Sequence, residues 1–181
     1  MDKRTTEAVR YLGYVNHAVD EDTLFLIESS FQELSEAADK RIVYRIFNLC
    51  LADGDELMID GLKIKSHSLS RNLKGCESVF LLGATLGTGV DLLLRRYAVG
   101  EMARSVTLQA CAAALLEEYL DEWQEERRAE LAETGQYLRP RFSPGYGDFS
   151  ILCQEPILRM LDTAKTIGLS MTDGYMLTPS K

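Results

Sequence analysis

Arg41-Ile42-Val43-Tyr44-Arg45-Ile46-Phe47, running on towards Leu51, is where this 181-residue chain changes from a helical to a two-residue period. Ile42, Tyr44 and Ile46 alternate with Val43, Arg45 and Phe47, a pattern that puts successive side chains on opposite faces of a strand. Asp53-Gly54-Asp55 then reads as a turn, and Asp60-Gly61 as a second one between short strands over Glu56–Ile59 and Leu62–Ile64. The stretch therefore predicts an antiparallel meander. A calcium loop is not the better reading of Asp53-Gly54-Asp55, because the rest of the twelve-residue ligand pattern is missing.

Upstream the chain reads as helical. Thr5 or Thr6 can cap a helix over Glu7–Leu12 that Gly13 would end, and its expected role is to pack against the sheet. After a loop through Asn16, Asp20 can cap a second helix, whose Leu24, Ile27, Phe31 and Leu34 recur at three- and four-residue steps as far as Ala38. Glu28, Glu33 and Glu36 read as its solvated face, since no base, nucleophile or metal ligand accompanies them.

Downstream, a helical turn over Ser68–Leu73 precedes an apolar strand at Val79–Leu82. Gly83-Ala84-Thr85-Leu86-Gly87-Thr88-Gly89 and a helix through Tyr97 follow. Glycines between a strand and a helix invite a phosphate-loop reading. Neither the Gly-Lys-Ser/Thr ending nor the dinucleotide spacing is present, so tight strand-to-helix packing is the simpler account. Even so, the helix start could help hold an anionic group of a partner. The longest helix is predicted over Glu101–Leu131. Its small apolar half, with Val106, Ala110, Ala113 and Ala114, is expected against the sheet, and Tyr119 and Trp123 mark its inner side. For Trp123 both core and partner contact are open, with core the simpler choice. A helix over Gln154–Ile167 and a strand over Leu169–Leu177 close the chain. Without regular βαβ alternation, the class is α+β: an antiparallel sheet with packed helices. One domain over 1–181 is expected, helical to about residue 40 and mixed beyond it.

Chemistry concentrates in Arg139-Pro140-Arg141-Phe142-Ser143-Pro144-Gly145-Tyr146-Gly147-Asp148. Two prolines fix φ and push the residue before each into an extended conformation, while two glycines permit backbone geometry that other residues avoid. The loop would present two guanidinium groups, a phenol, a hydroxyl and a carboxylate. Such a set suits a small zwitterion with a flat ring, arginine forking onto a carboxylate and tyrosine supplying an aromatic face. The plainer reading is a solvated connection made of turn residues.

Arg141-Phe142-Ser143-Pro144-Gly145-Tyr146 resembles the R-x-x-x-G-Y motif of the activation domain of cobalamin-dependent methionine synthase, down to the proline before the glycine. Gly168–Asp173 followed by Thr178-Pro179-Ser180 is similar to the family's next segment. Val79–Gly87 and the alanine-rich helix behind it look like its small, stand-alone members. The resemblance covers most of the chain. It implies that family's fold and a stand-alone reactivation protein that binds S-adenosylmethionine. As implied by position, Arg141 would grip the methionine carboxylate, Tyr146 would pack on the ligand, Gly145 would permit close approach and the main chain at Ser143 would offer hydrogen bonds. No D-x-H-x-x-G motif is present, so cobalamin would arrive in trans on a separate methionine synthase module, with flavodoxin or ferredoxin as a further partner. Methyl transfer from S-adenosylmethionine to cobalamin would then be an accessory step of methionine biosynthesis, in which this chain positions the ligand rather than acting as acid, base or nucleophile.

Bulk properties set the bounds. A formal net charge of −8 without a basic stripe argues against nucleic acid or an anionic membrane as the main partner, and counts slightly against docking an acidic protein. Cys50, Cys76, Cys111 and Cys153 are scattered, and His17 and His67 each stand alone, so a reduced chain without a metal site is expected. Met1-Asp2-Lys3-Arg4 is not followed by an apolar signal core, which predicts a cytoplasmic protein. Two other readings stay open: a non-catalytic module that docks a corrinoid protein without binding a ligand, and an unrelated enzyme working at Gly83–Gly89.

Overall fold

The computed structural model describes residues 1–14 and 19–181; the loop at Asn16 and His17 lie outside the described residues. The described chain forms an α+β structure with a four-stranded antiparallel sheet, and it divides into two compact units. Unit 1 comprises Met1–Arg41, Ala84–Glu126 and Thr178–Lys181; unit 2 comprises Ile42–Gly83 and Arg127–Leu177. Among the described residues no helix is long and apolar enough to cross a membrane.

Unit 1 is built on helices. α1 (Lys3–Tyr11) begins four residues before the expected start, because Asp2 and not Thr5 or Thr6 is the cap: its carboxylate accepts the Thr5 N–H at 2.7 Å. α2 (Glu21–Ala37) is capped by Asp20 as the sequence indicates, and buries Ile27, Phe31 and Leu34. Ala8 and Val9 of α1 join those residues, together with Leu86, with Val90 and Leu94 of α4 (Thr88–Tyr97), and with Leu108, Cys111 and Leu115 of α5 (Met102–Ala132). Both α1 and the small-residue half of α5 therefore pack into a cluster of helices where the sheet was expected. Val106 is 49% exposed, since it lies two residues, roughly 200° of rotation, from Leu108 on the buried stripe. Trp123 is buried, which agrees with the core reading. Glu28 and Glu36 are exposed, but Glu33 is not merely solvated: it pairs with Arg104 and accepts a 2.8 Å hydrogen bond from the Tyr97 hydroxyl.

Unit 2 carries the sheet. β1 (Arg41–Leu51), β2 (Glu56–Ile59) and β3 (Leu62–Lys65) form the meander, with Cys50 opposite Met58 and Met58 opposite Lys63. Asp60 and Gly61 both take positive φ, 46° and 86°, as a tight two-residue hairpin requires. β4 (Ser78–Thr85) completes the order β3-β2-β1-β4. Leu49, Leu57, Ile59, Ile64 and Leu81 turn to one face, where Leu69 of α3 (His67–Asn72) and Leu73 just past its end meet them with Phe149 and Leu161.

Two C-terminal expectations are corrected. The helix over Gln154–Ile167 is broken into α6 (Gln154–Leu161) and α7 (Thr163–Thr166) by Asp162 at φ 52°, and the Thr163 hydroxyl donates at 2.7 Å to the Leu169 carbonyl. The break seats Thr163 against β4: a Cβ on Gly83 would stand 3.2 Å from its methyl group. The single strand over Leu169–Leu177 is instead a hairpin of β5 (Ser170–Met171) and β6 (Leu177–Thr178), whose Thr172 N–H donates to the Met176 carbonyl at 2.9 Å.

Among the described glycines of unit 1, Gly89 in α4 leaves the least room for a side chain. A Cβ built on Gly89 would lie 2.3 Å from the Ala37 carbonyl oxygen at the end of α2. Gly89→Ala should therefore force the two helix ends apart and lower stability by about 1–3 kcal/mol, the usual cost of overpacking. A urea midpoint equal to that of the unsubstituted protein would show that α2 and α4 are not in this contact.

Candidate ligand-binding loop

Gly135, at φ 71°, closes α5, and residues 136–143 run on without regular secondary structure until the turn at Pro144-Gly145. Prolines 140 and 144 bring no N–H into this segment, so it is held mainly by side chains and by the carbonyls it offers. Those contacts gather on α3. The Arg139 guanidinium donates to the Lys74 carbonyl at 2.9 Å, and the Asn72 amide donates to the Pro140 carbonyl at 3.2 Å, both near the C-terminal end of the helix. At the other end, the Asp148 carboxylate accepts from the Ser66 hydroxyl at 2.7 Å, the His67 N–H at 2.6 Å and the Ser68 N–H at 3.0 Å. The Ser66 hydroxyl in turn accepts the Leu69 N–H at 3.1 Å, so the first N–H groups of α3 are satisfied by two side chains acting together.

Between these clamps lie the four candidate residues. Phe142 packs into the unit 2 core with its ring centroid 6.2 Å from that of Phe149. The Tyr146 N–H donates to the Ser143 carbonyl at 3.2 Å, the Gly145 N–H to the Phe149 carbonyl at 2.8 Å, and the Phe149 N–H to the Tyr146 carbonyl at 3.0 Å. Gly145 sits at φ 93°, with the Ile151 side chain 3.3 Å from where a Cβ would be, so glycine is needed for the turn itself. Arg141 is half-buried, Ser143 is exposed and Tyr146 is 69% exposed. The turn thus gathers Arg141, Ser143, Gly145 and Tyr146 in one tightly bonded stretch of six residues.

Two further groups of the loop, Arg139 and Asp148, serve the α3 clamps. Sequence reasoning also missed Ser66, Ser68 and Asn72. Ser66 before a helical turn is a legible cap, but nothing local to it names a carboxylate 82 positions away. The structure also holds an open groove of about 470 Å³ between α6–α7 and the β5–β6 hairpin, lined by Glu155, Arg159, Asp162, Asp173 and Tyr175 among others. None of the four candidate residues reaches it.

Gly83–Gly89 is used for packing. The Gly87 N–H donates to the Thr85 hydroxyl at 3.0 Å, and the Leu86 N–H donates to the main-chain oxygen of Lys181 at 2.9 Å. Asp91, in the first turn of α4, accepts from the Ser180 N–H and hydroxyl, so a carboxylate already stands where an anionic group would bind. Among the described residues no group of three or more histidine, cysteine or carboxylate side chains could hold a metal ion.

Charge is unevenly divided. Unit 1 has nine basic against seventeen acidic residues, the whole of the net −8, while unit 2 has eleven of each. The candidate loop therefore belongs to an electrically balanced unit. No family model matches the chain, and no curated protein matches it.

The Asp148 carboxyl is held well below its usual range by the Ser66 hydroxyl, then by the Ser68 and His67 N–H groups. A carboxyl depressed in the folded state contributes stability that is present above its unfolded pKa of about 3.9 and is lost as pH falls below it. Asp148→Asn should accordingly be less stable than the unsubstituted protein near neutral pH, with the gap narrowing below about pH 4. Urea midpoints across that range check this; a gap that stays constant with pH would mean the carboxylate charge is not what holds α3.

Proposed function

We propose that this chain is an S-adenosylmethionine-binding reactivation protein for a separate cobalamin-dependent methionine synthase, with the fold of that enzyme's activation domain. The observation that carries the reading is the loop itself: R-x-x-x-G-Y is held between two clamps, with the Tyr146 ring turned out to solvent and Gly145 at φ 93° shaping the turn beside it. Arg141 binds the carboxylate of the methionine moiety, a charge-assisted contact suited to a guanidinium fork. Tyr146 offers its face to the sulfonium or the adenine ring. The backbone around Ser143 supplies hydrogen bonds, and the Tyr146 N–H bond to the Ser143 carbonyl keeps that backbone in one conformation. Cobalamin on the partner supplies the nucleophile for the methyl group; this chain contributes position and orientation.

A corrinoid protein, and a flavodoxin or ferredoxin as electron donor, are the partners this role requires. Unit 2, with its balanced charge, imposes no general repulsion on an acidic partner, which removes the objection that the net charge of the whole chain raises. The docking reading draws on another observation: Tyr146, Ile151 and Leu152 are exposed along the turn and the 3₁₀ segment that follows it, an apolar surface that a protein would cover.

Titration calorimetry with S-adenosylmethionine tests the reading. Binding is expected, with Arg141→Ala weakening it by about 1.5–3 kcal/mol, the scale of a charge-assisted hydrogen bond. Tyr146→Ala should weaken it as well. Affinity untouched by Arg141→Ala would remove the ligand from this loop, and no heat at all, with or without a corrinoid protein present, would leave the docking role.

A further inference from the structure

We propose that Asp148 is the positioning residue of the Arg141–Tyr146 turn: it touches no ligand, but its bonds to the start of α3 set the conformation of the turn and, through it, ligand affinity. The proposal rests on the S-adenosylmethionine reading of that turn. Three observations carry it. First, the bond works in both directions: Ser66 takes the Leu69 N–H and Asp148 the His67 and Ser68 N–H groups, so the start of α3 is a fixed set of donors that anchors a loop residue 82 positions away. Second, the approach is close enough to dictate the neighbouring residue: a Cβ on Gly147 would lie 3.0 Å from the Ser68 hydroxyl, and Gly147 takes φ 57°. Third, the carboxylate lies one residue before Phe149, whose N–H and carbonyl close the turn onto Tyr146 and Gly145. Releasing Asp148 therefore releases the end of the turn to which both bonds return, while Arg139 and Asn72 keep hold of its beginning.

The consequence is energetic. A turn that is already ordered spends none of its binding energy on fixing Tyr146, whereas a turn freed at that end must order it when the ligand arrives. Asp148 and Tyr146 are then coupled: what Asp148 contributes to affinity passes through the group it positions.

A double-mutant cycle on the full chain tests this, using S-adenosylmethionine in calorimetry with Tyr146→Ala, Asp148→Ala and the pair. Asp148→Ala should weaken binding about tenfold, which is the scale of ordering one or two side chains. The double variant should bind within about twofold of Tyr146→Ala alone, a non-additivity expected of residues acting through one another. Ile59→Val, buried in the same core but outside the clamp, controls for general destabilisation and should leave affinity unchanged. Unchanged affinity in Asp148→Ala, or losses that multiply in the double variant, would overturn the proposal. If Asp148→Ala does not fold, Asp148→Asn enters the same cycle with a smaller loss. If the unsubstituted protein binds no S-adenosylmethionine, the functional reading fails but the positioning role is still decided by amide hydrogen exchange. Faster exchange at Gly145 and Phe149 in Asp148→Asn, with the Leu57 amide unchanged, supports that role, and unchanged exchange at both refutes it.

Discussion

The carboxylate of Asp148 at the start of α3 is the contact on which the candidate region depends. Six residues are too few for a helix to persist in water alone, because nucleation fixes several dihedrals before propagation repays them. A proline-containing loop has the complementary weakness, having few N–H groups with which to bond itself. Each remedies the other. α3 offers N–H donors at one end and a carbonyl just past the other, at Lys74, and the loop meets them with Asp148 and Arg139. Leu69 and Leu73 sink one partner into the unit 2 core, and Phe142 and Phe149 sink the other, so the polar clamps are backed by apolar burial.

This arrangement explains which parts of the fold could be read in the chain. The strands of the meander, the bounds of α4 and α5 and the Asp20 cap follow from signals local to a few residues: a period of two, Asp-Gly turns, and an acid before an apolar helix face. Where the reading went astray, two local signals competed and tertiary context chose. Asp2 and Thr5 are both plausible caps, and the carboxylate won. Asp173-Gly174 is the same dipeptide as Asp60-Gly61, but in the β5–β6 turn Tyr175 and not the glycine takes the positive φ, so the dipeptide signal is weaker there. The break at Asp162 has only a weak local signature, an aspartate that tolerates the left-handed conformation; Thr163 reaching the Leu169 carbonyl and packing against Gly83 accompanies it.

The candidate residues show the same limit more sharply. Arg141, Ser143, Gly145 and Tyr146 are legible as a group because they are adjacent and chemically distinct from their surroundings. Arg139 and Asp148 carry equally suitable chemistry and sit in the same loop, and it takes their long-range bonds to Lys74 and to Ser66–Ser68 to show that they support the loop. Composition ranks a residue by what it can do; topology decides what it is already doing.

Charge follows the same rule. The net −8 of the chain read as a property of the whole molecule, and on that basis an acidic partner looked disfavoured. What a partner meets on close approach is local charge, because at physiological salt fields between exposed groups fade beyond about 8 Å. In unit 2, which contains the candidate loop, acids and bases cancel, and several of them are already paired: Arg127 with Glu130, Arg159 with Glu155, Lys165 with Asp162. Exposed pairs of this kind add little stability, but they leave little net field for a visitor to feel. The recognition proposed for the loop therefore rests on short-range chemistry, from a half-buried guanidinium and an exposed phenol in the same turn.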